Sequence, residues 1–184
     1  MPDITSLKVQ REIKPKIEDV IPYLLDGEMK NVAIVFAARL RENKMAPRWS
    51  GVHNTWTANF KSKIICKIML INDNWKDVSP YNKHSWVVIP YLNHLNEYDE
   101  NIKNEGLQYV VWDNICFYCS TPCRSTIGDK RTCFPGRNPI ILGKEFKRVC
   151  ASRPLVHLWD PDETAINGIM RLLELEKQTR MNAD

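Results

Sequence analysis

Five of the chain's six cysteines fall between positions 116 and 150, in the spacing Cys116-x2-Cys119-x3-Cys123-x9-Cys133-x16-Cys150. The polar N-terminal stretch MPDITSLKVQREIKPK has none of the apolar run of a secretion signal. The expected compartment is therefore the cytoplasm, where thiols stay reduced and a disulfide framework does not persist. Structural zinc takes four thiolate or imidazole ligands in a tetrahedron, and a Cys-x2-Cys knuckle turns two sulfurs toward one ion. Cys116, Cys119, Cys133 and Cys150 make one such set, with Cys123 as an alternate for Cys133. A set of ordinary thiols or a redox pair is the competing reading. The bacterial iron–sulfur run C-x2-C-x2-C is absent. Cys66, alone in an apolar stretch, reads as a small buried hydrophobe.

The charge gathers around the same thiols. Eight basic residues lie between Cys116 and Arg153 against only Asp129 and Glu145, while the whole chain carries a net +4. The segment is thus +6 on a body of −2. Lysines and arginines near thiolates lower their pKa, which explains the excess without any partner. The functional alternative is an anionic partner, a nucleic acid or an acidic protein, met through Arg124, Lys130, Arg131 and Arg137. Phe117, Tyr118 and Phe134 are interleaved as stacking on bases would need, but packing around a zinc site would use them equally.

With 43% hydrophobic and 26% charged residues over 184 positions, the chain has a globular composition and is neither coiled coil nor low-complexity disorder. No apolar run reaches membrane-spanning length, so no membrane partner is expected. The hydrophobic period predicts a helix over 17–25 and a second from Asp26, where Met29, Val32, Ala33, Phe36, Ala37 and Leu40 form one stripe and Pro47 forbids continuation. The period then becomes two. Strands are predicted over 56–61, 64–70, 75–78 and 85–89, joined by connections too short for parallel crossovers. A polar helix follows over 93–105, capped by Gly106. Residues 109–112, 140–142 and 155–159 read as further strands. A last helix starts from Asp160 as N-cap, with Pro161 and Glu163 completing a capping pattern. The fold class is α+β: an antiparallel sheet of about five or six strands flanked by helices, with a Cys-rich zinc knuckle loop. Residues 1–16 read as a flexible arm and 17–178 as one domain with its Cys-rich segment at 116–150. From Glu176 the chain turns charged and is expected to fray, with 179–184 a frayed tail.

Five of the six tryptophans fall on predicted strands and suit a sheet packed on helices. The alternative is an aromatic pocket for a small molecule, formed by Trp49, His53, Trp56, Trp75 and Trp86, with the loop over 50–55 as its rim. A catalytic reading finds little support. His53, His84, His94 and His157 are scattered, and no H-E-x-x-H, deaminase, P-loop, dinucleotide or G-x-S-x-G signature occurs. A zinc-stapled ligand-binding or sensor domain is the leading expectation, followed by an anionic-partner binder and then an enzyme.

Four stretches, "LRENKMAPRWSGVHNTWTANFKSKIICKI", "VVWDNICFYC", "CFPGRNPIILGKEFKRVC" and "WDPDETAINGIMRLLELEK", resemble a family of uncharacterised bacterial domains from clostridia and related Firmicutes. The resemblance spans about 36–177. It implies a C-x2-C knuckle, a C-x-P-G step and an "LGKEF…VC" ending, and hence zinc on Cys116, Cys119, Cys133 and Cys150. Cys123 then lies in an insertion over 120–132. Some similar domains are joined to transcription-regulator domains, which implies an effector-sensing role.

Overall fold

The change of hydrophobic period near residue 50 divides helical from sheet structure in the molecule, as it does in the sequence. The computed structural model describes residues 3–72, 83–117 and 136–182. Three helices open the chain: α1 (Leu7–Ile13), α2 (Ile17–Leu24) and α3 (Gly27–Glu42). In α3 the residues Val32, Ala33, Phe36, Ala37 and Leu40 are buried along one stripe. Glu18 on α2 receives both Nε and a terminal nitrogen of Arg41 on α3, at 2.6 and 2.8 Å, a bidentate pair that sets the two helices side by side.

Helix α1 was not expected, because the segment has no apolar period. Ser6 caps it by accepting from the Val9 amide, and it is held by a polar side chain, the fully buried Gln10. The described part of the arm is thus docked rather than loose.

Strands β1 (Pro47–Trp49), β2 (Thr55–Phe60), β3 (Lys63–Leu70) and β4 (Trp86–Pro90) form an antiparallel meander, and β5 (Leu158–Trp159) adds to β4 as the fifth strand. Side chains alternate across a strand, and the register aligns Trp56 with Ile68, Ile68 with Val88, and Val88 with Leu158. These residues, with Ala58, Cys66, Leu70 and Trp86, belong to one buried cluster with the apolar faces of α2, α3 and α6 (Glu163–Asn182). Phe36 of α3 lies 6.5 Å from Trp86 of β4, ring centre to ring centre, inside the favourable range for tilted aromatic pairs. The predicted strand over 75–78 lies outside the described residues.

Beyond β4 come a 3-10 turn (Leu95–Glu97) and helix α4 (Asp99–Asn104). Gly106, at φ +66°, takes the left-handed position that ends α4, where glycine has no side chain to strain. Residues 109–112 are not a strand but part of helix α5 (Gln108–Trp112). The apolar run Tyr-Val-Val-Trp has strand propensity, yet tertiary packing overrides it. Val110 seats against α6 so closely that a Cβ on Gly168 would come within 2.4 Å of a Val110 methyl.

Two corrections concern α6. Asp162, not Asp160, caps it, accepting from the Ala165 amide at 2.8 Å. The Asp160 carboxylate turns back to β4, where one oxygen accepts from the Ser85 and Trp86 amides at 2.8 and 3.0 Å. The helix also does not fray at Glu176. It continues to Asn182, and Glu176 and Arg180 are 0% and 5% exposed.

Candidate metal and ligand site

The cysteine segment leaves α5 as an extended strand and returns beside itself. Ile115 bridges Val156, Phe117 bridges Val149, and Val149 bridges Arg137, all antiparallel. Cys116 lies at the centre of this small ladder. Its amide donates to the Leu155 carbonyl at 2.8 Å, and its own carbonyl accepts from the Cys150 amide at 2.8 Å. The first and last cysteines of the cluster are therefore cross-strand neighbours despite 33 intervening residues. Cross-strand neighbours carry their Cβ atoms about 4.5–5.5 Å apart, a separation over which two sulfurs can share one tetrahedral ion. Cys150 is buried and Cys116 half-buried. Cys119, Cys123 and Cys133 lie outside the described residues, as do Arg124, Lys130 and Arg131. Among the described residues, no group of three or more metal-ligating side chains is assembled. Cys66 sits in the core, where burial pushes its thiol far above the ordinary range. It is a neutral hydrophobe.

The tryptophans of the expected pocket are put to another use. Trp56 and Trp86 are fully buried in the core, so neither lines an open pocket; the Trp56 indole N–H donates to the Pro15 carbonyl at 2.9 Å. The loop over 50–55 forms a rim, but the described N-terminal segment occupies it. The Gln10 side-chain carbonyl accepts from the Asn54 amide at 2.9 Å and from the Trp49 indole at 3.3 Å. Its amide group donates to the Asn54 side chain and to the Ile4 carbonyl. The His53 Nε2 lies 2.6 Å from the Thr5 carbonyl. Trp49 and His53 each hydrogen-bond the described N-terminal segment, through Gln10 and the Thr5 carbonyl respectively. Trp75 lies outside the described residues.

Of the four expected anion-binding residues, Arg137 is described, and it lines a cleft of about 290 Å3. Tyr91, Leu92 and Asn93, just past β4, form one wall, with Arg137, Arg153 and Pro154 opposite. Arg153 was only one of eight basic residues in the sequence; the ladder brings it to Arg137. Behind it, His157 is buried, and burial together with Arg153 and Lys67 lowers its pKa to about 4. The imidazole is therefore neutral at physiological pH.

A second arrangement went unseen in the sequence because its aspartate read as a helix cap. The His84 Nδ1 lies 2.9 Å from the second oxygen of Asp160, and the His84 ring stacks on Trp159 at 4.7 Å between centres. Asp160 holds a left-handed φ of +42°, a conformation that aspartate tolerates better than most residues. The pair fixes the entry to β4 against the entry to α6. No helix among the described residues is long and apolar enough to cross a membrane. Compared with known families, curated proteins and solved structures, the chain finds no match in any of the three.

Proposed function

We propose that this chain is a cytoplasmic binding domain stapled by one zinc ion on Cys116, Cys119, Cys133 and Cys150, with Cys123 as the alternate to Cys133. The observation that carries the reading is the cross-strand pairing of Cys116 with Cys150, since a metal set drawn from both ends of a long segment needs those ends together. Four thiolates around one Zn2+ leave the site at −2, and Arg137, Lys144, Lys147, Arg148 and Arg153 supply positive charge to the same segment. The ion's role is structural: it would close the segment against residues 155–159, whose end, Leu158–Trp159, pairs with the main sheet. Binding energy at such a site becomes folding energy.

Metal analysis of the purified chain tests this reading. The expected result is one zinc per chain, lost in Cys116→Ser and Cys150→Ser and retained in Cys66→Ala. Comparing Cys123→Ser with Cys133→Ser identifies the remaining ligand. Full zinc content in both Cys116→Ser and Cys150→Ser would end the proposal. On the ligand side, Trp56 and Trp86 are fully buried, whereas Arg137 and Arg153 line an open cleft.

A further inference from the structure

We infer that Trp49 and the loop over 50–55 form a recognition site for a primary carboxamide, the side chain of glutamine, and that α1 is a strap holding the chain's own Gln10 in that site. The ligand class rests on the reading of the chain as a binding domain, and on no part of the metal set.

The hydrogen bonds define the class. A carboxamide accepts at one end and donates twice at the other. The Gln10 oxygen meets two donors, the Asn54 amide at 2.9 Å and the Trp49 indole at 3.3 Å. Its nitrogen donates to the Asn54 side-chain oxygen and the Ile4 carbonyl. Three of these four groups belong to Trp49 and Asn54 and stay behind if the arm leaves. With Asn54 placed as it is, a carboxylate would set its second oxygen against the Asn54 oxygen. Asn54 is fully buried, and its Nδ2 has no hydrogen-bond partner among the described residues. A buried donor left unused costs free energy, so a ligand that reaches Nδ2 gains a hydrogen bond that Gln10 lacks.

The site and the strap are anchored unequally. The site is set by its own backbone: the Asn54 carbonyl accepts from the Leu70 amide of β3, and the Ser50 amide donates to the Thr55 carbonyl, both at 2.9 Å. Asn54 holds a left-handed φ of +48° there, which asparagine tolerates. In the strap, Gln10 is the one buried residue of seven, and a helix that short is not stable alone in water. The Thr5 carbonyl adds a contact with His53 Nε2 at 2.6 Å, and Ile4 adds partial packing against the core. The strap ends at Lys14, at φ +46°, and the next carbonyl, of Pro15, is pinned by the Trp56 indole at 2.9 Å. Segments with few buried apolar contacts open locally while the rest stays folded, so the strap can leave as a unit about Lys14. While docked, Gln10 competes at the high effective concentration of a tethered group.

Isothermal titration of the full chain, with zinc content measured in parallel, tests the inference. The probes are free glutamine, the peptide ITSLKVQREIK copied from residues 4–14, and the same peptide carrying Gln10→Glu. The expected result is one-to-one binding of the unmodified peptide or of glutamine to the Gln10→Ala chain, about tenfold or more tighter than to the wild type. The Glu peptide should bind about tenfold or more weakly than its parent. Glutamine binding assigns the site to a free amide and peptide binding alone to a peptide partner; either supports the inference. Circular dichroism and the melting midpoint show whether the variant is folded. Hydrogen exchange on the wild type is the second measure. The amides of Gln10 and Lys14, bonded to the Ser6 and Gln10 carbonyls at 3.0 and 2.9 Å, should exchange about tenfold or more faster than those in the interior of α3. A Gln10→Ala chain that fails to fold, no binding of either unmodified probe to it, equal binding of the two peptides, or equal protection of α1 and α3 would each overturn the inference. Missing zinc in a chain that binds the peptide would end the metal reading and support this one.

Discussion

Replacing Glu176 with glutamine tests whether the buried polar network at the end of α6 holds the fold together. The carboxylate is fully buried and each of its oxygens accepts two hydrogen bonds. One takes the His94 ring and Arg180 Nε, both at 2.8 Å; the other takes the His94 amide at 3.1 Å and the Tyr98 hydroxyl at 2.8 Å. Glutamine has the same shape but only one acceptor oxygen. If its NH2 faces Arg180, a buried guanidinium loses its carboxylate acceptor and keeps the Ile64 and Tyr91 carbonyls. If it faces Tyr98, the hydroxyl can rotate to accept, but the His94 amide is left without an acceptor. The second arrangement costs less: about 1–3 kcal/mol for the unsatisfied amide, plus the difference between a charged and a neutral acceptor for Arg180. About 3–4 kcal/mol in all is expected, within the range for breaking a buried ion pair on one side. For a domain of this size that lowers the melting midpoint by roughly 6–16 °C. Urea denaturation followed by circular dichroism measures it, with an unchanged slope as the check on two-state behaviour. Burial alone would raise the Glu176 pKa, but hydrogen bonds from His94, Arg180 and Tyr98 outweigh it, and the net shift is downward from 4.5. A lowered carboxylate stabilises the folded state fully above 4.5 and loses that contribution as pH falls through its folded pKa. The gap between wild type and Glu176→Gln should therefore be widest at neutral pH and narrow under acid. A loss below about 1 kcal/mol, or a gap that widens under acid, would refute the reasoning.

Gly168→Ala sets helix propensity against packing: alanine should gain about 1 kcal/mol in a helix interior, yet its methyl meets Val110 at 2.4 Å. Overpacking of this kind costs about 1–3 kcal/mol, so net destabilisation is expected by denaturant titration, and it should be relieved in the Val110→Ala background. His157, with its pKa lowered from 6.5 to about 4, leaves the unfolded chain binding one more proton in that window. Stability should then fall with decreasing pH across it, by at most about 1.4 kcal/mol per pH unit, and this part of the slope should vanish in His157→Leu. Stripping zinc with a chelator should lower the melting midpoint of the wild-type chain and leave a folded Cys116→Ser variant unchanged; equal midpoints with and without chelator would remove the staple.

Local pattern made the scaffold legible. The stripe from Val32 to Leu40, the alternation around Trp56 and Ala58, and the left-handed Gly106 each follow from neighbours a few residues away, because helix and strand periods act at that range. The same local rules misread Tyr109–Trp112, whose strand propensity yields to the groove that Gly168 opens on α6. They also misread polar residues, since polarity in a sequence does not say where a partner waits. Gln10 looked solvated and is buried against Asn54, which lies 44 positions on. Glu176 and Arg180 looked like a fraying end, yet they meet His94, Tyr98, Ile64 and Tyr91, which lie 78 to 116 positions before them. The cysteine spacing indicated a metal by its knuckle alone. That Cys116 and Cys150 are neighbours, with Arg137 and Arg153 on the same wall, follows from strand pairing across the chain, where hydrogen bonds satisfied at long range outweigh local preference.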